Sequence, residues 1–137
     1  MTSSVTLQNY ISELLDVYIG KFNRGDLNGA ASHYHEPSIQ FSAGGVTVIS
    51  TRKEMADIFA NAIERLQKDG WDHSEWAGSK KIIVLDMDGL VLASCPCKRL
   101  RKDGTSCEEF TATYTLRKDD QNWLIAAIHH HPLGSTL

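Results

Sequence analysis

The sequence predicts an α+β domain in which helices come first and a sheet follows. Apolar residues recur every three to four positions in two long segments before Gly70, which is the spacing of a buried helix face. From Trp71 onwards the pattern is instead one of strands separated by turns. Helices and strands segregated in this way are typical of α+β folds. The length of 137 residues fits one domain over residues 1–137.

The first predicted helix spans about four turns and ends at Gly25, which can take the left-handed conformation found after helices. Asp26 is then a suitable N-cap for a short second helix from about Leu27 to Tyr34, which Pro37 stops. The apolar stripe of the first helix consists of Leu7, Tyr10, Ile11, Leu14, Tyr18 and Phe22.

Two short strands, Ile39–Phe41 and Val46–Ile49, are predicted next. Thr51 and Glu54 then form a capping box, in which the hydroxyl accepts from a backbone amide and the carboxylate reaches back to the cap. The helix that follows ends at Gly70. Its apolar face consists of Met55, Phe59, Ala62, Ile63 and Leu66.

The remaining strands form a meander whose turns predict which residues lie opposite each other. A turn on Asp88–Gly89 places Val84 opposite Ala93, one on Asp103–Gly104 places Cys97 opposite Phe110, and one on Asp120–Gln121 places Ala112 opposite His129. One face of the sheet then collects Ile82, Val84, Val91, Ala93, Cys95, Cys97, Phe110, Ala112, Tyr114, Leu116, Ile125, Ala127, His129 and His131. The other collects Ile83, Leu85, Leu90, Leu92, Ser94, Thr111, Thr113, Thr115, Leu124, Ile128 and His130.

The two faces differ in composition. The first is almost entirely apolar and is predicted to face the helices. The second holds six apolar residues and three threonines among its eleven, which suits cover by a second copy of the chain. We expect Leu92, Thr113 and Ile128 to lie in that dimer interface. A single bulge would exchange the faces beyond it.

Composition excludes several classes of partner. The net charge is −3, from 14 basic and 17 acidic residues, so nucleic-acid binding is not expected. The longest aliphatic run, residues 82–85, is far shorter than a membrane span, and the first residues do not resemble a secretory signal. Three cysteines fit a reducing compartment, so a cytoplasmic protein is expected.

Two further patterns are interpreted as structural. His33–His35 and His129–His131 contain His-x-His spacings, but no third ligand of clear type accompanies either, so no metal site is predicted. In the basic run 98–102, the meander places Lys98 opposite Glu109 and Arg99 opposite Glu108. Ion pairs across an exposed hairpin explain this run without a ligand.

The segment from Tyr18 to Gly29, with its Gly-Asp-Leu at residues 25–27, resembles the first-helix signature of the NTF2-like superfamily, and most closely its SnoaL-like and ketosteroid isomerase-like proteins. The stretch from Asn122 to His131 resembles their Trp-led final strand. The resemblance implies a cone, in which a curved, mostly antiparallel sheet is closed by the N-terminal helices around an apolar pocket, and which is commonly dimeric. Because the superfamily contains enzymes and non-catalytic modules, the resemblance alone predicts no activity.

The functional residues of the ketosteroid isomerase-like proteins can be matched to positions in this sequence one at a time. The oxyanion-hole tyrosine matches Tyr18, and the general-base aspartate falls at Ser42. The second oxyanion donor falls near Thr113 or Tyr114. Because a serine hydroxyl is not basic at neutral pH, steroid isomerisation is not expected.

Tyr18, Tyr114 and His129 are the candidate catalytic residues. In the predicted register His129 lies opposite Ala112, two residues from Tyr114 on the same face, so a histidine and phenol donors could act together in general acid–base chemistry. The alternative is that both tyrosines are core residues with satisfied hydroxyls. Four apolar residues are the candidate ligand contacts, namely Phe41, Phe59, Ile63 and Trp76.

Two functions remain open from the sequence. One is a cofactor-free isomerase, cyclase or dehydratase that acts on a polyketide-, terpenoid- or steroid-like molecule. The other is a non-catalytic ligand-binding or dimerisation module, which the missing carboxylate base favours. Both predict a small apolar molecule as the partner, and convergent polar groups in the pocket would distinguish the enzyme.

Overall fold

Three helices lie against one face of a curved, open sheet of seven strands in the computed structural model, which describes residues 3–133. This architecture confirms the α+β prediction. The elements in chain order are α1 (Ser4–Asn23), α2 (Leu27–Ala31), β1 (Tyr34–Ser42), β2 (Gly45–Ile49), α3 (Arg52–Lys68), β3 (Trp71–Trp76), β4 (Lys81–Asp86), β5 (Leu90–Arg101), β6 (Ser106–Asp119) and β7 (Asn122–His131).

The sheet is mostly antiparallel and has the strand order β2-β1-β7-β6-β5-β3. Strand β4 also pairs with β5, so β3 and β4 share one edge of that long strand. Strands β1 and β7 are the parallel pair. The first strand therefore lies beside the last one, which brings α1 and α2 to the same region as the end of the meander.

Asp26 and Thr51 cap the helices for which the sequence predicts them, and the structure adds Ser3 as a third cap. Ser3 caps α1, Asp26 caps α2 and Thr51 caps α3, each by accepting a hydrogen bond from a backbone N–H three residues later. The Glu54 carboxylate accepts from the N–H of Ser50, one residue before the cap. Gly25, with φ of 74°, follows α1 in the left-handed conformation that favours glycine.

The second helix is shorter than predicted. It ends at Ala31, and Tyr34, predicted as its last residue, begins β1. The N–H of Ile125 donates to the carbonyl of His33 at 2.8 Å, and Tyr34 lies beside Ile125 in the parallel pair. Pairing with a strand distant in sequence thus decides the conformation of this segment.

The predicted registers hold for one hairpin and shift in another. Cys97 lies opposite Phe110 as predicted, and this register continues along most of β5 and β6. In the β4–β5 hairpin, however, Val84 lies opposite Val91 rather than Ala93. A shift of two residues leaves each side chain on its predicted face, because side chains alternate with a period of two.

A bulge in β7 exchanges the faces at the end of the chain. Leu116 lies opposite Ile125, but Thr115 lies opposite Ala127, so Ala126 is an extra residue in β7. Before the bulge the prediction is correct, and beyond it the prediction is wrong. Ile128 and His130 face the helices, whereas Ala127, His129 and His131 lie on the opposite, outer face.

The core lies between the helices and the inner face of the sheet. Ile11, Leu15 and Tyr18 of α1 pack there with Val91 and Leu116 of the sheet, all buried. In the described part of the chain, no helix has both the length and the apolar character needed to cross a membrane.

Candidate functional site

A cavity of about 170 Å³ lies between the inner face of the sheet and helices α1 and α3. Its walls combine aromatic and aliphatic side chains with a similar number of polar ones, three of which are tyrosines that also contribute rings. Apolar lining is supplied by Ile19, Phe22, Met55, Ile58, Phe59, Ala62, Trp76, Phe110 and Ile128. The polar lining consists of Tyr18, Tyr34, Gln40, Arg65, Ser74, Cys97, Arg99, Glu108, Tyr114 and His130.

Three buried tyrosines form one polar cluster in this cavity. The hydroxyl oxygens of Tyr18 and Tyr34 are 2.7 Å apart, and the ring of Tyr114 meets that of Tyr18 edge-on with centroids 6.1 Å apart. Burial raises the pKa of Tyr18 to about 12, partly offset by the bond to Tyr34, and burial also raises the pKa of Tyr34 and Tyr114. All three phenols are therefore protonated at neutral pH and can donate hydrogen bonds.

Arg99 of β5 brings a buried positive charge to the cavity. Its side chain is only 13% exposed. Its guanidinium carbon lies 5.4 Å from the ring centre of Phe22 and 4.9 Å from that of Phe110. Nη1 donates to the hydroxyl of Ser74 at 3.2 Å, which fixes one end of the group. Nε is buried and has no hydrogen-bond partner among residues 3–133.

Glu108 lies between two arginines at the exposed rim of the cavity. Its Oε1 is 3.6 Å from Nε of Arg99, and its Oε2 is 3.7 Å from Nη1 of Arg65. Both separations exceed hydrogen-bonding distance, so the carboxylate bridges the arginines loosely. The Arg65 side chain is 66% exposed and that of Glu108 is 37% exposed.

Ser74, Trp76, Cys97 and Arg99 form a contiguous group on the inner face. Ser74 lies opposite Arg99 and Trp76 lies opposite Cys97 in the antiparallel β3–β5 pair. The indole Nε1 of Trp76 is buried, and it too has no hydrogen-bond partner within the described chain. An N–H without an acceptor in a buried site is uncommon and costs about 1–3 kcal/mol.

His130 is the histidine that reaches the cavity. Its ring packs edge-on against Phe110, with centroids 4.9 Å apart. Burial, and after it the positive charge of Arg99, lower the pKa of His130 to about 4. The imidazole is thus neutral near pH 7. The cavity lining then carries two positive charges, on Arg65 and Arg99, against the one negative charge of Glu108.

The structure brings together two of the three predicted catalytic residues. Tyr18 and Tyr114 both line the cavity. His129 does not, because the bulge at Ala126 turns it to the outer face, where its ring packs on Phe41 with centroids 3.9 Å apart. The prediction that His129 lies on the inner face is therefore wrong.

Two of the four predicted ligand contacts line the cavity and two do not. Phe59 and Trp76 line the cavity. Phe41 lies beside His129 in the parallel pair of strands, on the outer face, and the prediction that it lines the pocket is wrong. Ile63 packs against the core but is not part of the cavity wall.

Tyr34, Arg99, Glu108 and His130 are among the site residues that sequence reasoning missed. The cross-strand pair of Arg99 and Glu108 was predicted, and the structure confirms the pairing. The expectation that this pair lies on an exposed hairpin is wrong, because both residues share the face of Cys97 and Phe110. The alternation of side chains along β5 and β6 is sufficient to place both residues on the inner face.

Ser42 and the histidines of the two His-x-His spacings, at 33, 35, 129 and 131, do not line the cavity. Ser42 is exposed beside the β1–β2 turn, where its hydroxyl accepts from the N–H of Gly44 at 3.1 Å. Across the described ranges, no group of three or more His, Cys, Asp or Glu side chains is arranged to hold a metal ion.

Comparison with known proteins identifies the fold. A family model described as NTF2-like protein (DUF6841) matches residues 8–133. No curated protein matches the sequence.

Solved structures of the same fold come from several bacteria. Aln2 from a Streptomyces species is similar with a TM-score of 0.76 and 15% identity, over 96% of this chain and 94% of that chain. A domain of unknown function with a cystatin-like fold from Nostoc punctiforme has a TM-score of 0.75 and 19% identity, over 98% of this chain and 82% of that chain. An NTF-2 like protein of unknown function from Shewanella oneidensis has a TM-score of 0.72 and 18% identity, over 90% of this chain and 97% of that chain. At these identities the likeness is one of fold alone.

Proposed function

The chain belongs to the NTF2-like family (DUF6841), and from the cavity that its fold encloses we propose that the protein binds a small, mostly apolar molecule there. The observation that carries the proposal is the composition of the lining. Nine aromatic and aliphatic side chains and the rings of three tyrosines form most of the wall, and buried donors, including Tyr18 and Arg99, are fixed in place by neighbours. Binding sites for small molecules generally combine apolar walls with a few placed polar groups.

The volume of the cavity limits the size of the molecule that it can bind. A volume of about 170 Å³ is close to that of engineered cavities of about 150 Å³ that bind benzene. It supports a molecule with one ring and a small substituent. A steroid or a polyketide with several fused rings would extend beyond this volume.

Catalysis is the second candidate function, and the protonated tyrosines favour it. Phenol donors such as Tyr18 and Tyr114 can stabilise an enolate or another oxyanion that forms in the cavity. An isomerase or dehydratase also needs a base. His130 is a weak one because its pKa is about 4, and the Glu108 carboxylate already faces two arginines. Ligand binding therefore has the stronger support.

A cavity-filling variant tests the proposal. We would measure the stabilisation of the protein by a set of single-ring compounds in thermal unfolding, since a ligand at 100 times its Kd stabilises by about 2.7 kcal/mol. Ala62→Phe places a ring in the cavity from α3, whereas Ala60→Phe places the same ring on the exposed side of that helix.

We expect compounds that stabilise the wild type to act equally on Ala60→Phe and to lose their effect on Ala62→Phe. Stabilisation that persists in Ala62→Phe would place the binding site elsewhere. A set in which no compound stabilises the wild type would contradict the proposed function.

A further inference from the structure

Within the proposed binding function, we infer that the ligand is a small organic anion, a single-ring carboxylate, whose charged group lies against Arg99 and Trp76. The inference rests on the proposed function and specifies the chemical class of the molecule. It is carried by the donors and charges of the cavity, taken together with its volume.

The first argument is the charge balance of the lining. Arg65 and Arg99 face one carboxylate, that of Glu108, and His130 is neutral near pH 7. Arg99 is buried to nearly nine-tenths of its side chain, and its one carboxylate partner, Glu108, lies 3.6 Å from Nε without a hydrogen bond, so the burial of its charge is only partly offset. An anion in the cavity would supply the missing negative charge.

The second argument is the set of donors without acceptors. Arg99 Nε and Trp76 Nε1 are buried, belong to the same group on the inner face, and have no hydrogen-bond partner in the described part of the chain. A carboxylate offers two acceptor oxygens, which suits two N–H groups that come from adjacent strands of the same face. A neutral apolar ligand would leave both donors unsatisfied.

The third argument is that Arg99 is held in place before any ligand arrives. The rings of Phe22 and Phe110 lie within 5.4 Å of its guanidinium carbon, and Ser74 accepts from Nη1. Glu108, in contrast, is only loosely paired and can turn toward the exposed Arg65. The cavity can therefore admit a second carboxylate without rebuilding its wall.

The experiment compares benzoate with benzamide, which has nearly the same shape but no charge. Both compounds would be titrated into the full chain at neutral pH and low ionic strength, with heat release as the readout. We expect benzoate to bind at least about tenfold more tightly than benzamide, as a charge-assisted hydrogen bond implies. Arg99→Gln should remove this preference by lowering the affinity for benzoate far more than that for benzamide.

A second pair of variants tests the same site by a gain of affinity. Glu108→Gln removes the carboxylate that competes for Arg99, so the affinity for benzoate should rise several-fold while that for benzamide stays constant. Glu109→Gln is the matched control, because Glu109 is the next residue of β6, on the outer side, and pairs with Lys98. If Arg99→Gln fails to fold, the comparison of Glu108→Gln with Glu109→Gln still tests whether the ligand is an anion.

The outcomes separate the inference from the proposed function. If benzamide binds as tightly as benzoate and Ala62→Phe blocks both, the cavity binds ligands but the anion inference is overturned. If neither binds while other single-ring compounds do, the anion inference alone is overturned. If no single-ring compound binds, both fail.

Discussion

The hydroxyl oxygens of Tyr18 on α1 and Tyr34 on β1 lie 2.7 Å apart, which joins the first helix to the first strand inside the cavity. Only one of the two O–H groups can donate within this pair, so the other can donate to Tyr114 or to a ligand. The same bond therefore contributes to stability and keeps a phenol oriented in the site.

Removing one hydroxyl from this pair should destabilise the protein. Tyr18→Phe keeps the ring but leaves the buried hydroxyl of Tyr34 without its partner, at a cost of about 1–3 kcal/mol in the free energy of unfolding. Urea unfolding measures the change. Tyr10→Phe, on the exposed side of α1, should have no effect. Equal stability of Tyr18→Phe and the wild type would contradict this account.

Local patterns in the sequence are sufficient for the helices and for most of the meander. The stripe through Tyr18 and Phe22 predicts which face of α1 is buried, and the turn at Asp103–Gly104 predicts the β5–β6 register. Local patterns do not predict the bulge at Ala126. The bulge there lies beside a shift in the parallel β1–β7 pair, and that contact joins residues about ninety positions apart.

One extra residue in β7 has a large effect on the candidate site. It replaces His129 by His130 in the cavity, so a general acid–base histidine gives way to one that burial holds neutral. Arg99 was missed for a different reason. Because Arg99 is charged, it was expected to be exposed. The alternation of side chains along β5 nevertheless places it on the inner face.

The position of Ser42 leads to a prediction about activity. In the structure Ser42 is exposed and outside the inner cavity, so neither its chemistry nor its place suits the base of an isomerase. We expect no detectable isomerisation of a β,γ-unsaturated ketosteroid, followed by the absorbance of the conjugated product. Turnover that survives Ser42→Ala and disappears in Tyr18→Phe would show that another base operates in the cavity.

We propose that the outer face of the sheet pairs with a second copy of the chain. Leu92 and Thr113 lie on this face as predicted, whereas Ile128 lies on the inner face beyond the bulge. Three exposed apolar side chains continue the outer face onto β1 and β2, namely Ile39, Val46 and Val48. Such a patch on one side of a sheet is typical of an interface.

A charged residue in this patch should weaken the dimer without unfolding the chain. Val48→Arg is the better test than Thr113→Arg, because Thr113 is buried and bonded to Ser94 and His131. Sedimentation at concentrations on the order of tens of micromolar should show a dimer for the wild type and a monomer for Val48→Arg. Val17→Arg, on exposed α1, should remain dimeric. A wild-type protein that sediments as a monomer would contradict the proposal.

The low pKa of His130 predicts how stability depends on pH. In the unfolded chain a histidine binds a proton near pH 6.5, whereas His130 in the folded protein binds one only near pH 4. Between these values the unfolded state holds more protons, so stability falls as the pH is lowered, by up to about 1.4 kcal/mol per pH unit from this residue. His130→Gln should remove that part of the slope, as measured by urea unfolding at several pH values. If His130→Gln keeps the wild-type slope, protonation of His130 is not opposed by burial, and the neutral state assigned to it in the cavity is wrong.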